Sequence, residues 1–332
     1  MFKIRLPEND LEIEANREGG YILLSVQNGQ SGLSLRLTAP FDDTNEELVE
    51  ICGRYEAAAS ASANAPPELS RRVADLRGRA GTALGYFVPP LQRIAQWLLW
   101  SQETTNFTYD LTDRNKAYLA HTISLVTGHP VGEIHGYLAE PENDGKLMGW
   151  LRNHAEELGG AHPLDREPRF GRRLGWYAVV RAMKPRVVIE TGVDKGLGSV
   201  LLCAALARNN QDGSPGEYIG TDINPLAGVL LDGPYARYGR ILYGDSLESI
   251  RSLDCSVDIF INDSDHSAAY EAAEYDLIEG KLSSKAIVLG DNSHITDALQ
   301  KFAEKTDRRF LYFNEEAKSH WYPGAGIGFA FR

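Results

Sequence analysis

The chain has 332 residues, of which 43% are hydrophobic and 24% are charged. This usage is typical of a folded globular protein and excludes a largely disordered or fibrous one. The net charge of −12 disfavours the basic surface that a nucleic-acid backbone requires, so we expect no nucleic-acid partner.

The cysteines and the apolar runs indicate the cellular compartment. The three cysteines lie far apart, without the C-x-x-C spacing of a zinc or redox site. The first residues lack the continuous apolar stretch of a secretory signal, and no apolar run is long enough to span a membrane. We therefore expect a cytoplasmic protein with no membrane partner.

The first 160 residues predict an α+β region. Apolar and polar side chains alternate up to residue 38, as in Phe2, Ile4 and Leu6, and predict two or three short antiparallel strands. A stretch of small residues that ends in two prolines, over 57–67, predicts the end of a helix and a linker. Apolar residues at helical spacing predict helices over 68–83, 91–101, 112–127 and 144–158.

Residues 161–332 predict a second domain, in which strands alternate with helices after a first helix over 172–183. The strands are predicted over 186–191, 217–222, 239–244, 257–263, 284–290, 308–314 and 325–331. Helical crossovers follow the first five strands, and the last two strands can pair as a hairpin. This order predicts an α/β fold with a doubly wound, mostly parallel sheet of seven strands. In such a sheet the ligand binds at the carboxyl ends of the strands, beside the first one.

The first strand of this sheet ends in the sequence E-T-G-V-D-K-G-L-G, which starts at Glu190. Its glycines, Gly192, Gly196 and Gly198, permit a sharp turn and a close approach of a ligand to the backbone. Asp194 stands where a dinucleotide-binding turn needs its second glycine, which disfavours a pyrophosphate. A carboxylate at Glu190 suits a cationic ligand such as a sulfonium.

This stretch resembles the first motif of class I S-adenosylmethionine-dependent methyltransferases. The second strand ends at Asp222, similar to the family's ribose-binding carboxylate, and the third runs into Asp245 and Ser246, similar to the loop beside the adenine. The resemblance implies a Rossmann-like sheet that binds S-adenosylmethionine through Glu190, Gly192, Gly196, Gly198, Asp222, Asp245, Ser246 and Asp263. An alternative is that Asp245 or Ser246 caps the helix that follows.

The fourth strand continues into D-I-F-I-N-D-S-D-H-S over 258–267, and the fifth ends in L-G-D-N over 289–292. Both segments resemble those of metal-dependent, small-molecule O-methyltransferases of the macrocin and catechol types, with Ser264 in place of a glycine. Catalytic roles follow for Asp263 and for His266 as the base. Mg²⁺ prefers oxygen ligands, and we expect its ligands to be Asp263, Asp291 and Asn292. Alternatively, the histidine only starts the next helix and the carboxylates cap helices or orient the base.

These motifs together predict methyl transfer to a hydroxyl of a small molecule, such as a sugar, polyketide or phenol of secondary metabolism or antibiotic biosynthesis. Residues 1–160 resemble auxiliary regions that serve oligomerisation or close a substrate pocket, so we expect a homo-oligomer. The alternatives are an N-methyltransferase without a metal, an NAD(P)-binding oxidoreductase on the same sheet, and a non-catalytic binding protein.

Overall fold

The computed structural model describes strands between residues 2 and 40, single helical positions between 67 and 98, and residues 101–332 except 104, 158–163, 166 and 292. The chain divides into two compact units, Met1–Trp100 and Ser101–Arg332. The linker predicted over 57–67 and most of the helices predicted over 68–83 and 91–101 lie outside the described residues. Within the described part, no helix combines the length and the apolar character that crossing a bilayer requires.

The first unit contains a four-stranded antiparallel sheet. Its strands, in the order in which they pair, are β1 (Phe2–Leu6), β2 (Leu11–Glu18), β3 (Tyr21–Asn28) and β4 (Leu33–Pro40). Antiparallel strands were the prediction, but there is one more than expected. The additional strand is β2, whose sequence L-E-I-E-A-N-R-E has the two-residue period of a strand although charged residues dominate it.

Three helices precede the sheet of the second unit: α1 (Asp113–Thr127), α2 (Val131–Asn143) and α3 (Gly145–Glu157). The Thr112 side chain caps α1 by accepting the N–H of Asn115, and Gly128 ends this helix at φ +75°. The sequence predicted α1 and α3. It did not predict α2, because the glycines and Pro141 within that helix are usually signals of a turn.

The seven strands of the main sheet confirm the predicted α/β fold, with bounds that differ from the expected ones by one or two residues at most. They are β6 (Val187–Thr191), β7 (Glu217–Asp222), β8 (Gly239–Tyr243), β9 (Val257–Asn262), β10 (Leu282–Asp291), β11 (Arg309–Asn314) and β13 (Gly326–Phe331). Their spatial order is β11-β13-β10-β9-β6-β7-β8. Strands β6 to β10 pair in parallel, and β13 is antiparallel to both its neighbours. A separate two-stranded sheet joins β5 (Asp110–Leu111) to β12 (Ala317–Lys318).

The helices of the sheet region are α4 (Arg173–Met183), α5 (Leu197–Gln211), α6 (Gly233–Ala236), α7 (Ser246–Ser252), α8 (Ala268–Glu279) and α9 (Ala298–Lys305). Helix α4 is almost wholly buried and packs against α1, α2 and α5. The early helices therefore share a core with the sheet, and the boundary predicted at residue 160 falls inside the second unit. The role expected for residues 1–160 stays a prediction.

Candidate functional site

A cavity of about 690 Å³ lies at the carboxyl ends of β6 to β9. Its lining follows the strand ends, with Gly192 after β6, Asp222 at the end of β7, Gly244 after β8 and Asp263 after β9. Because the strands are parallel, these ends meet at one edge of the sheet, which is where the sequence placed a ligand. The volume is in the range of small-molecule sites.

Gly192 makes the turn that opens this cavity, as its sequence predicted. Its φ is +80°, and a Cβ built on it would lie 1.9 Å from the carbonyl oxygen of Asp263. Its N–H donates to the carbonyl of Thr221 at 2.8 Å. Only glycine fits here, because the positive φ disfavours other residues and the backbone after the neighbouring strand β9 leaves no room for a side chain.

Asp222 presents an anchored carboxylate to the cavity. Its Oδ2 accepts the N–H groups of Val193 and Asp194, both at 2.9 Å, and its Oδ1 accepts the N–H of Asn224 at 2.8 Å. The glycine-containing turn therefore fixes the orientation of this side chain. Oδ1 keeps a lone pair for a further donor, such as a ligand hydroxyl.

The loop after β8 contributes Asp245 and Ser246 to the cavity wall. Asp245 caps α7, since its Oδ1 accepts the N–H groups of Leu247 at 2.8 Å and Glu248 at 3.4 Å. Ser246 hydrogen-bonds instead to Tyr270 at 2.9 Å and to a buried glutamate described below. The capping alternative is thus observed for Asp245, and contact of either residue with a cofactor stays a prediction.

Three of the residues predicted to bind the cofactor do not line the cavity, and these expectations are corrected. Glu190 is 1% exposed and accepts hydrogen bonds from Ser199 at 3.1 Å and from Tyr218. Gly198 is needed for packing, because a Cβ there would lie 2.4 Å from Glu190 Oε1. Gly196 starts α5 at φ +90°. A Cβ on Gly196 would lie 3.0 Å from the Cα of Gly228, so this glycine permits the close approach of the loop after β7.

Burial is the main reason why the pKa of Glu190 rises to about 7, although the hydroxyls of Tyr218 and Ser199 lower it. The carboxyl therefore sits in the core as a hydrogen-bond acceptor and not opposite a cationic ligand. This orientation was not predictable from the sequence around Glu190, since the partner Tyr218 lies on another strand, β7.

A buried glutamate that the sequence analysis missed ties the strand ends together. Glu274 on α8 is fully buried, and its carboxylate accepts hydrogen bonds from the side chains of four residues: Thr191, Ser246, Asn262 and Ser264. These donors follow or end three different strands. Glu274 thus fixes the positions of Ser246 and Ser264, which both line the cavity.

Two of the three residues predicted as metal ligands, Asp263 and Asp291, form an acidic cluster with His266. Asp263, His266 and Asp291 each place a ligand-type atom within 4.8 Å of the others. Burial and the nearby charge of Asp291 raise the pKa of Asp263 well above its usual range. Burial acts in the same direction on Asp291, but the charge of Arg172 more than offsets it and lowers the pKa of that carboxyl.

A Mg²⁺ ion does not fit this cluster, because an arginine already holds the central carboxylate. Arg172 donates from Nε to Asp291 Oδ1 and from Nη2 to Oδ2 at 2.5 Å. A dication within about 5 Å of a guanidinium is repelled by roughly 7 kcal/mol at an effective dielectric constant of about 20. The expected ligand Asn292 lies outside the described residues.

Arg172 is the second functional residue that the sequence analysis missed. It lines the cavity together with Arg173, and it stands at the N-cap of α4. A cation at that position is unfavourable for the helix dipole, and this mismatch was the available signal.

Within this cluster, His266 lies between two carboxylates. Its Nδ1 is 3.6 Å from Glu271 Oε1 and its Nε2 is 3.9 Å from Asp263 Oδ1. Glu271 in turn accepts a hydrogen bond from Thr296. The neighbouring carboxylate of Glu271 is the main reason why the pKa of His266 is raised, the charge of Asp291 adds to this effect, and burial opposes it. The arrangement of a histidine oriented by a buried carboxylate is that of a general base.

Residues 189–293 match the sequence model of a family described as a methyltransferase domain. A comparison with the curated proteins finds no match.

Several solved structures are similar to parts of the chain. An O-methyltransferase from Bacillus cereus in complex with SAH is 14% identical, covers 59% of this chain and 96% of its own, and has a TM-score of 0.42. The O-methyltransferase TomG from Streptomyces achromogenes, in complex with SAM, is 15% identical, with coverages of 57% and 90% and a TM-score of 0.40. The SAH-bound methyltransferase PaMTH1 from Podospora anserina is 14% identical, with coverages of 60% and 94% and a TM-score of 0.39.

The matched segment, 189–293, begins in β6 and ends after β10, so it contains the strand ends and loops that line the cavity. It contains the five parallel strands, β6 to β10, of the seven-stranded sheet that the sequence predicted. The chain therefore has a Rossmann-like α/β sheet whose cavity-forming segment is similar to a methyltransferase domain.

Proposed function

We propose that this protein is an S-adenosylmethionine-dependent methyltransferase that acts on a hydroxyl of a small molecule. One observation carries the proposal: within the segment that matches a methyltransferase domain, the carboxylates of Asp222 and Asp245 border one cavity together with the Gly192 turn, which follows the neighbouring strand β6. A carboxylate at a strand end can accept ribose hydroxyls, and an acidic wall favours a cationic ligand.

The cofactor, when bound, supplies a methyl group on a positively charged sulfur. The residues of this chain have two tasks, which are to hold the ligands in line and to accept one proton from the acceptor hydroxyl. His266 is the proposed proton acceptor, because the carboxylate of Glu271 lies 3.6 Å from its Nδ1 and its Nε2 lies 3.9 Å from Asp263, which lines the cavity. We propose that no metal takes part in this step, since Asp291, a predicted metal ligand, forms a salt bridge with Arg172 instead.

The acceptor is proposed to be a small molecule because the cavity, of about 690 Å³, has the volume of a small-molecule site and the chain carries a net charge of −12. A polyanionic acceptor such as a nucleic acid would be repelled by this charge. We also propose that the protein assembles into a homo-oligomer.

Binding of S-adenosylhomocysteine, measured by isothermal titration calorimetry, tests the proposal. We expect the wild-type protein to bind this product and not NADH. Asp222→Asn should weaken the binding by about tenfold or more, equivalent to about 1.4 kcal/mol. Asp254→Asn, the same change at an exposed aspartate outside the cavity, is the matched control and should bind like the wild type.

Turnover is tested with cell extract as the source of acceptors. We expect mass spectrometry to detect a product that carries one additional methyl group, formed by the wild type and not by His266→Asn, which should still bind S-adenosylhomocysteine. Binding of NADH alone would instead support the oxidoreductase alternative. Binding of neither ligand would reject the proposed function.

A further inference from the structure

We propose that Arg172 is the resident cation of the acidic cluster, so that the cluster works without a divalent metal. The part of this inference that is tested by turnover rests on the proposed function. The other part, that a guanidinium pairs with the carboxylate predicted to bind Mg²⁺, is argued from the contacts of Arg172 alone.

The first argument is the bidentate salt bridge between Arg172 and Asp291. Nε and Nη2 donate to the two different oxygens of the carboxylate, which is the bidentate geometry that makes arginine–carboxylate pairs strong and directional. Both side chains are nearly inaccessible, with side-chain exposures of 8% for Arg172 and 0% for Asp291. The pair is therefore part of the interior and not a surface contact that an ion could displace.

The second argument is the support on the other side of the guanidinium. Its Nη1 donates to the hydroxyl of Tyr109 at 2.7 Å and lies 3.4 Å from Glu315 Oε1. The hydroxyl of Tyr109 donates to Glu315 Oε2 at 2.8 Å, and Glu315 Oε1 also accepts the N–H of Ala325 at 2.7 Å. Moving Arg172 aside would leave two buried carboxylates, Asp291 and Glu315, without their cation.

The third argument is charge. A metal centre of this type needs carboxylates whose negative charge is available to the ion. Here Arg172 lies between Asp291 and Glu315, so its single positive charge is shared by the two carboxylates. Because Arg172 also lines the cavity, its positive charge acts on whatever binds there, as a fixed group that cannot be chelated away.

Titration with Mn²⁺, followed by the electron paramagnetic resonance signal of the free ion, tests the proposal on the full chain. We expect the wild type to hold no stoichiometric Mn²⁺ at concentrations up to about 1 mM. Arg172→Met removes the charge, keeps an unbranched side chain, and should bind Mn²⁺ at least about tenfold more tightly. Arg172→Lys keeps the charge and should behave like the wild type.

Arg181→Met is the matched control. Arg181 is a buried arginine on the same helix, paired with Glu140 and Asp212, and its loss should leave Mn²⁺ binding unchanged. A wild-type protein that binds one Mn²⁺ per chain, with the binding lost in Asp291→Asn, would overturn the proposal. So would a folded Arg172→Met that gains no Mn²⁺ binding, with folding checked by near-ultraviolet circular dichroism.

The rate of methyl transfer also tests whether the cluster works without a divalent metal. We expect EDTA to leave the methyl-transfer rate of the wild type unchanged, and a rate abolished by EDTA and restored by Mg²⁺ would overturn the proposal. If the protein methylates no acceptor, the proposed function fails, but the Mn²⁺ titration of the wild type still decides the role of Arg172. The two failures are thus distinguishable.

Discussion

The carboxyl group of Glu190 is an ionisable group that the fold holds in its core. It is 1% exposed and bonded to two hydroxyls, Ser199 and Tyr218, whereas the sequence motif suggested a group that faces a ligand. Burial raises its pKa from the ordinary value of 4.5 to about 7, against the lowering effect of the two hydroxyls. Ionising this group in the folded protein is therefore harder than ionising it in the unfolded chain.

This difference makes the stability depend on pH. Because the pKa of Glu190 is higher in the folded protein than in the unfolded chain, this group's contribution to stability is fully present below pH 4.5. The contribution is lost as the pH rises to about 7. Relative to Glu190→Gln, the free energy of unfolding of the wild type should fall by about 3 kcal/mol between these limits. Urea unfolding at a series of pH values measures this. Glu248→Gln, at an exposed position, is the control, and its free energy of unfolding should depend on pH as that of the wild type does. The prediction would be contradicted if Glu190→Gln and the wild type also showed the same pH dependence.

At the scale of elements, the cavity depends on one helix that holds the ends of several strands. Glu274 on α8 accepts hydrogen bonds from residues at the ends of β6 and β9 and at the start of α7. Removing its negative charge leaves buried donors without a full set of acceptors, and hydrogen bonds to charged groups contribute about 1.5–3 kcal/mol each. We expect Glu274→Gln to lower the free energy of unfolding by at least about 2 kcal/mol and to weaken S-adenosylhomocysteine binding.

Glu279→Gln, at the exposed end of the same helix, is the matched control for this prediction. It should change neither the urea midpoint nor the dissociation constant from calorimetry. A loss of stability in Glu274→Gln with unchanged binding would show that Ser246 and Ser264 do not need this anchor, and the positioning role would be rejected.

The sequence predicted elements better than it predicted side-chain directions. The strands of the main sheet were found because buried parallel strands are short apolar runs, as in β6 and β9. Helix α2 was missed because local turn signals conflict with its tertiary packing. The direction of Glu190 and the pairing of Arg172 with Asp291, 119 residues apart, were not predictable, since neither partner lies within a local pattern.

At the scale of the whole molecule, the helices before the sheet share its core. Each of the helices α1 to α3 contributes fully buried apolar side chains to the hydrophobic cluster that contains those of α4. Among them are Leu119, Ile123, Ile134 and Leu151. The second unit accordingly begins at residue 101 and not at 161. The sequence could not show this, because apolar residues at helical spacing predict a helix but not the surface on which it packs.

Two fragments of the chain test this division. The fragment 101–332 should unfold in urea as one cooperative transition with a near-ultraviolet circular dichroism signal, because it keeps the shared core. The fragment 161–332 should show no cooperative transition: burying each large apolar side chain contributes about 1.5–3 kcal/mol, so the loss of Leu119, Ile123 and their neighbours exceeds the usual net stability of about 5–15 kcal/mol. It also leaves Arg181 without its partner Glu140. Equal urea midpoints for the two fragments would place the boundary at 160, as the sequence suggested.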